Sequence, residues 1–256
     1  MRKLFFPSLV LIALTAVPVA VHAQDTPAAH DAATVRSFWG EHAGGITDKI
    51  APANKDAKDL YLTLDACGGH GGDGYDSDII IFLRANNIPA TLFINARWAD
   101  ANPETFAELA ADPLFKIENH GTKHRAASVS GKYAHGIRGT KSAQELASEI
   151  GDNADKIEKL TGRRPTWYRS GAAYYDAESI KIITEKLKIK IAGFAKSLDA
   201  GATLPAHDVY RIAMTAKPGD ILLAHMNQPT SPSGIGLQLA LAELIKRGYT
   251  FRQLPD

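Results

Sequence analysis

Residues 60–65 read LYLTLD, and this stretch decides the fold. Leu60 to Leu64 form a short apolar strand pattern that ends abruptly at a carboxylate, Asp65. The same design recurs along the chain. Ala90 to Asn95 (ATLFIN), Phe115 to Glu118, Thr166 to Arg169, Ile189 to Ala195, Ile221 to Ala224 and Tyr249 to Leu254 read as further strands. Helices are predicted between them, at 78–86, from Asn102-Pro103, from Ser142 to about Leu160, from Asp176 to about Leu187, and from Leu237 to Lys246. Asn102 is suited to cap free N–H groups and Pro103 fits a first helical turn. Ser142-Ala143-Gln144-Glu145 has the form of a capping box. About seven strands alternating with helices imply a parallel sheet with crossover helices, either a barrel of β/α units or an open doubly wound sheet. No G-x-G-x-x-G follows the first strand and no phosphate-binding loop is present, so a dinucleotide fold loses its main support.

Polar residues at the predicted strand ends carry the chemistry. They are Asp65, then Asn119-His120 with His124, then Arg169, Asp199 and His225, each group from a different strand. A barrel that assembles its active site at the C-terminal ends of its strands needs this convergence. His120 and His124 are four apart, so one helical turn would let both imidazoles grip one metal ion; zinc suits them, although nickel or cobalt would also bind. Asp65 opens the glycine-rich segment TLDACGGHGGDG and is a candidate general base or ligand, with a turn-forming role as the plain alternative. Arg169 is placed to hold a carboxylate bidentately, or to form a structural ion pair. His225 is a candidate acid for a leaving group, Asp199 a candidate to orient it, and His70 a minor candidate in the flexible loop. Trp98, Trp167, Tyr174 and Tyr175 could line a sugar cleft but are more simply read as core.

The 256 residues carry 29 basic and 28 acidic side chains, a formal charge of +1. That balance argues against a general nucleic-acid binder. Residues 1–23 begin with Arg2-Lys3, continue with an apolar stretch holding Pro7 and Pro18, and end Val21-His22-Ala23, the pattern of a cleaved signal peptide rather than a retained anchor. Cleavage leaves 27 basic against 28 acidic residues and a charge of −1. The expectation is an exported protein, periplasmic or extracellular, with no membrane attachment afterwards. Residues 24–56 have no strong period and read as a mobile or loosely docked lead-in, leaving 57–256 as one domain. The single cysteine, Cys67, excludes an intramolecular disulfide.

The ordered set TLDACGG, NHGTKH, YRSGAAYYD and LLAH resembles the polysaccharide deacetylases, the chitin-deacetylase-like members of carbohydrate esterase family 4 with a NodB-homology domain. The resemblance spans roughly residues 58–254. It implies a distorted seven-stranded (β/α) barrel and metal-dependent hydrolysis of an acetyl group, most simply N-acetyl, on an acetylated glycan. By the same resemblance Asp65 is the base, His120 and His124 are the metal ligands, Arg169 positions the base, His225 is the acid tuned by Asp199, and Leu223 lines the acetyl pocket; of the aromatic residues above, Tyr174 is the one expected to touch substrate.

Three positions depart from the family pattern. The second aspartate of the first motif, a metal ligand in the family, is Ala66 here. Asp65 itself, or Cys67, Asp73 or Asp76, or water is then left to supply the third ligand, or the metal binds weakly; a thiolate at Cys67 would suit zinc, but the preferred reading sends Cys67 into the barrel as a small apolar residue. Ser170-Gly171 replaces the proline-tyrosine expected after the arginine, which leaves the backbone N–H near Ala172 as oxyanion donor. The tryptophan usual near Asp199 is absent. The missing ligand opens a second expectation, a non-catalytic relative that binds cell-wall glycan; a third keeps the same site for another amide or ester.

Overall fold

Side-chain alternation along the first long strand organises the molecule. The computed structural model describes residues 38–256; the predicted signal peptide and residues 24–37 lie outside the described residues. The strands, in chain order, are β1 (Trp39–Gly40), β2 (Ile46–Thr47), β3 (Asp59–Ala66), β4 (Ala90–Ile94), β5 (Phe115–Asn119), β6 (Tyr133–Ala134), β7 (Ile137–Arg138), β8 (Trp167–Tyr168), β9 (Tyr175–Asp176), β10 (Lys190–Ala192), β11 (Lys196–Ser197), β12 (Ile221–His225) and β13 (Thr250–Arg252). On β3, Leu60, Leu62, Leu64 and Ala66 are fully buried against Ile80 and Leu83 of the helix Ser77–Ala85 and Leu237, Leu241 and Leu244 of the helix Ser233–Lys246. The intervening residues face the other way: Tyr61 joins Phe93, Trp167, Ala192 and Ile221 in a separate inner cluster. Successive strand residues point to opposite faces, so the leucines hold the outer helices while Thr63 and Asp65 look inward.

The main sheet runs β11-β12-β3-β4-β5-β8-β10-β2, with β13 beside the start of β3. Every pairing within it is parallel. It curls on itself because the chain leaving β10 passes through Gly193–Ala195 into β11, which pairs with β12, while the Ala195 N–H donates to Ile221 O. This is the curled (β/α) barrel with outer helices that the sequence implied. The predicted strand 189–195 is split into β10 and the approach to β11 at that turn.

The segment 38–56 is more built than its composition suggested. β1 pairs antiparallel with β9, and β2 extends the sheet beside β10. Two-residue strands are too short to leave a period in sequence. The predicted helix from Ser142 spans Ala143–Thr161, with Ser142 accepting from the Glu145 N–H and Gly162 closing it at φ 73°. Glu145 accepts from the Lys141 N–H instead of that of Ser142, so only half of the capping box forms. Pro103 starts a helix, but Asn102 gives it no side-chain cap; its amide donates to Asp73 O and Trp98 O. The helix from Asp176 is regular over Ala177–Lys181 and continues as a π-turn over Ile182–Lys186. Among the described residues no helix is long and apolar enough to cross a membrane.

Candidate active site and metal centre

The parallel register carries β3 and β12 to the same mouth of the barrel, with Asp65 directly opposite His225. Asp65 is almost fully buried, and Arg169, fully buried at the end of β8, donates from Nη1 to Asp65 Oδ1 at 2.7 Å. The pair is not bidentate. The same Nη1 donates to Thr63 Oγ1, Nε donates to Ala192 O, and Nη2 donates to Gly193 O, while the guanidinium lies 4.4 Å over the Phe93 ring. Burial opposes ionisation of Asp65, but the charges of Arg169, His120 and His225 outweigh it and hold the carboxyl below its ordinary value.

The alternation that turns Asp65 inward turns Ala66 outward into the apolar layer beneath the helices. Cys67 then returns to the mouth. Its Sγ lies 3.7 Å from His120 Nε2. One ligand atom each from Cys67, His120 and His124 lie within 4.8 Å of one another. The expectation that Cys67 serves as a small apolar residue is therefore corrected. Asp73 and Asp76 do not reach the centre: Asp73 accepts from the Gly69 N–H, and Asp76 caps the helix Ser77–Ala85 through the Ile79 N–H, whereas Asp65 Oδ2 lies 3.6 Å from His120 Nε2.

The two histidines do not converge through a helical turn. Residues 121–125 bend, with Gly121 at φ 75° and His124 at φ 59°, a left-handed conformation rare outside glycine and asparagine. Glu149 imposes the bend. This buried carboxylate accepts from the backbone N–H groups of Lys123 and Arg125, and its carbonyl accepts from the Thr122 N–H and hydroxyl. His120 Nδ1 sits 2.8 Å from Arg169 O, which can only accept, so Nδ1 carries a proton and Nε2 faces Cys67. A thiol and two imidazoles, one held by a carbonyl partner behind it, are a donor set that fits zinc. Burial pushes the Cys67 thiol up, but the charge of His124 and hydrogen bonds with His120, His124 and His225 outweigh it and hold it well below the usual thiol range.

Asp199 Oδ2 accepts the His225 backbone N–H at 2.7 Å, and Oδ1 lies 2.9 Å from His225 Nδ1. The carboxylate thus fixes the ring, with Nε2 left for the cleft. Burial lowers the basicity of His225, yet Asp199 and Cys67 raise it well above the ordinary histidine value. These groups share a cleft of about 540 Å³. Leu223 lines it, forming a small apolar patch with Ala173 and Phe194. Tyr174 does not line it: the ring packs 5.5 Å from Trp39 and 5.3 Å from His135. Trp98, Trp167 and Tyr175 are core residues whose polar atoms bond Gly74 O, Pro255 O and the Ser170 N–H. His70 stands exposed at the rim.

Sequence reasoning missed Glu41, His135, Phe194 and Asn227, all of which line the cleft. Asn227 is nearly buried; its Nδ2 donates to Gly72 O and its Oδ1 has no hydrogen-bond partner. None of the four belongs to a recognisable motif.

Residues 53–191 match the polysaccharide deacetylase family. The chain is 22% identical over 215 residues to the peptidoglycan-N-acetylmuramic acid deacetylase PdaA of Bacillus subtilis (strain 168), covering 82% of this chain and 74% of that protein. The solved structure of Bacillus subtilis PdaA, a family 4 carbohydrate esterase, superposes with a TM-score of 0.64 at 20% identity over 80% of this chain and 82% of that one. BA3943, a family 4 pseudoenzyme from Bacillus anthracis, is similar at a TM-score of 0.63 and 20% identity, covering 80% of this chain and 68% of that one.

Two outcomes follow from the geometry. Arg169→Met strands the Asp65 carboxylate in the barrel mouth and should cost about 3–5 kcal/mol of unfolding free energy, read by denaturant titration; a loss under about 1 kcal/mol would show that the pair carries little of the structure. Glu149→Ala frees the bend that aims His124 and should weaken zinc binding about 10–100-fold in a chelator competition, while unchanged affinity would mean the loop holds its shape without that carboxylate.

Proposed function

Because the chain belongs to the polysaccharide deacetylase family, we propose that it is a zinc-dependent hydrolase that removes acetyl groups, N-acetyl foremost, from a polysaccharide or amino sugar. The observation that carries this reading is the meeting, in one cleft, of Cys67, His120 and His124 with an Arg169-bound carboxylate and an Asp199-bound imidazole. Cys67, His120 and His124 would hold the metal. Zinc in such a site supplies Lewis acidity, lowering the pKa of a coordinated water and polarising a carbonyl oxygen.

The protein's own groups supply the proton transfers. Asp65, kept ionised by Arg169, accepts the proton of the attacking water. The patch of Leu223, Ala173 and Phe194 receives the acetyl methyl and excludes water from around it. His225, charged and fixed through Nδ1 by Asp199, gives the Nε2 proton to the departing amine. Acetate and the free amine leave the cleft. The basic, apolar residues 1–23 support export, so the substrate is a glycan met outside the cytoplasm.

A panel of acetylated glycans, assayed for acetate with chelator and with added zinc, tests the proposal. Release that stops with chelator and returns with zinc is expected. No release from any glycan by a zinc-loaded protein that still binds one would favour the non-catalytic glycan binder. Asp65→Asn and His225→Ala should each lower kcat by at least about 100-fold; full activity in either removes that residue from the chemistry. Cys67→Ala should lower zinc affinity by at least about tenfold in a competition assay, and bound zinc should shield the native Cys67 from alkylation. Equal alkylation with and without zinc would take the thiol out of the ligand set.

A further inference from the structure

Beside the metal centre lies a second cavity of about 510 Å³, lined by Arg97, Lys123, His124, Arg125, Ile137 and Arg138. It adjoins the catalytic cleft, since His124 and Ile137 line both. We propose that this groove is an anion subsite, which takes a carboxylate or phosphate group carried by the substrate next to the residue being deacetylated. The inference rests on the glycan-deacetylase reading above and names the substrate's charge.

Four permanent cations line the groove and no acidic residue does. In a chain with nearly balanced charge this is a local excess. Among the described residues none of the four forms an ion pair with a carboxylate within 4.0 Å, although thirteen other pairs involving Lys or Arg would show that this chain pairs its cations readily. Glu149 lies beneath the loop, but its oxygens accept the backbone N–H groups of Lys123 and Arg125 and leave the side chains unpaired. Arg125 is half-buried and its Nε, shielded from water, has no hydrogen-bond partner. A buried donor left open is costly unless a ligand completes it. Arg97 is braced from below by Asn95 Oδ1 and Cys67 O, and Arg138 projects from the β6–β7 hairpin across Tyr133. Guanidinium groups converging from three separate segments suit planar, bidentate recognition of a carboxylate or phosphate. The adjoining catalytic cleft differs in carrying carboxylates, Glu41 and Asp65, on its wall. An anionic glycan is therefore drawn in with its charged substituent toward Arg125 and its acetyl group toward Leu223.

Calorimetry on the zinc-loaded full chain tests this with three probes on one acetylated oligosaccharide backbone: a carboxylate form, a phosphate form and a carboxamide-capped neutral form. At least one anionic probe should bind about tenfold tighter than the neutral one, and the tighter of the two identifies the substituent. The gap should close in Lys123→Gln/Arg138→Gln, both exposed positions, and shrink in 1 M salt, where screening acts over about 3 Å. Equal affinity for all three probes, or a gap that survives both the double variant and salt, overturns the subsite. An anionic preference with no acetate release would keep the subsite and remove the deacetylase reading; acetate release with no anionic preference would do the reverse.

Discussion

Arg169 is the residue on which the rest of the mouth depends. Its side chain bonds Asp65 and Thr63 on β3 and the carbonyls of Ala192 and Gly193 at the end of β10, and its backbone carbonyl holds Nδ1 of His120. One buried cation thus fixes the carboxylate of Asp65, and its residue's carbonyl fixes the imidazole of His120 with Nε2 facing Cys67. Burying a guanidinium is expensive, and the cost is offset only because every one of its nitrogens finds an acceptor and its face lies on Phe93. Site geometry and barrel closure are the same set of bonds. Asp199 repeats the arrangement on a smaller scale, binding both the main chain and the ring of His225.

Much of this was legible in sequence, for a physical reason. Strands that are buried on both faces write continuous apolar runs, and a charged residue ending such a run has few places to be except the mouth. That logic located Asp65, His120, Arg169 and His225. The same two-residue period carries further than it was taken. Counting inward and outward from Asp65 places Ala66 under the helices and Cys67 back at the mouth, so the missing carboxylate and the lone thiol are one observation. What sequence could not show are contacts between distant segments. Glu149 shapes the histidine loop from the helix Ala143–Thr161, and nothing near His124 announces it. β1, β2 and the β6–β7 hairpin are too short for any periodic signal, yet they bring Glu41, His135 and Arg138 to the cleft and groove. Tyr174 shows the converse error: a residue beside a motif that turns away to Trp39.

The charge layout gives the site its direction. A carboxylate held low and an imidazole held high in pKa line the same cleft as Cys67, His120 and His124, each held in its state by a partner of opposite sign. Pairs of groups pushed to different protonation states are what acid–base work requires. The cation-lined groove extends that asymmetry past His124, and under the proposed subsite the same surface would also sort substrates by charge.

The central claim is that Cys67 completes the metal centre where Ala66 cannot. X-ray absorption at the zinc edge of the zinc-loaded protein reads the ligands directly. The account predicts one sulfur at about 2.3 Å together with two imidazole nitrogens at about 2.0 Å, and loss of the sulfur in Cys67→Ala. A shell of nitrogen and oxygen alone, unchanged by that substitution, would contradict it.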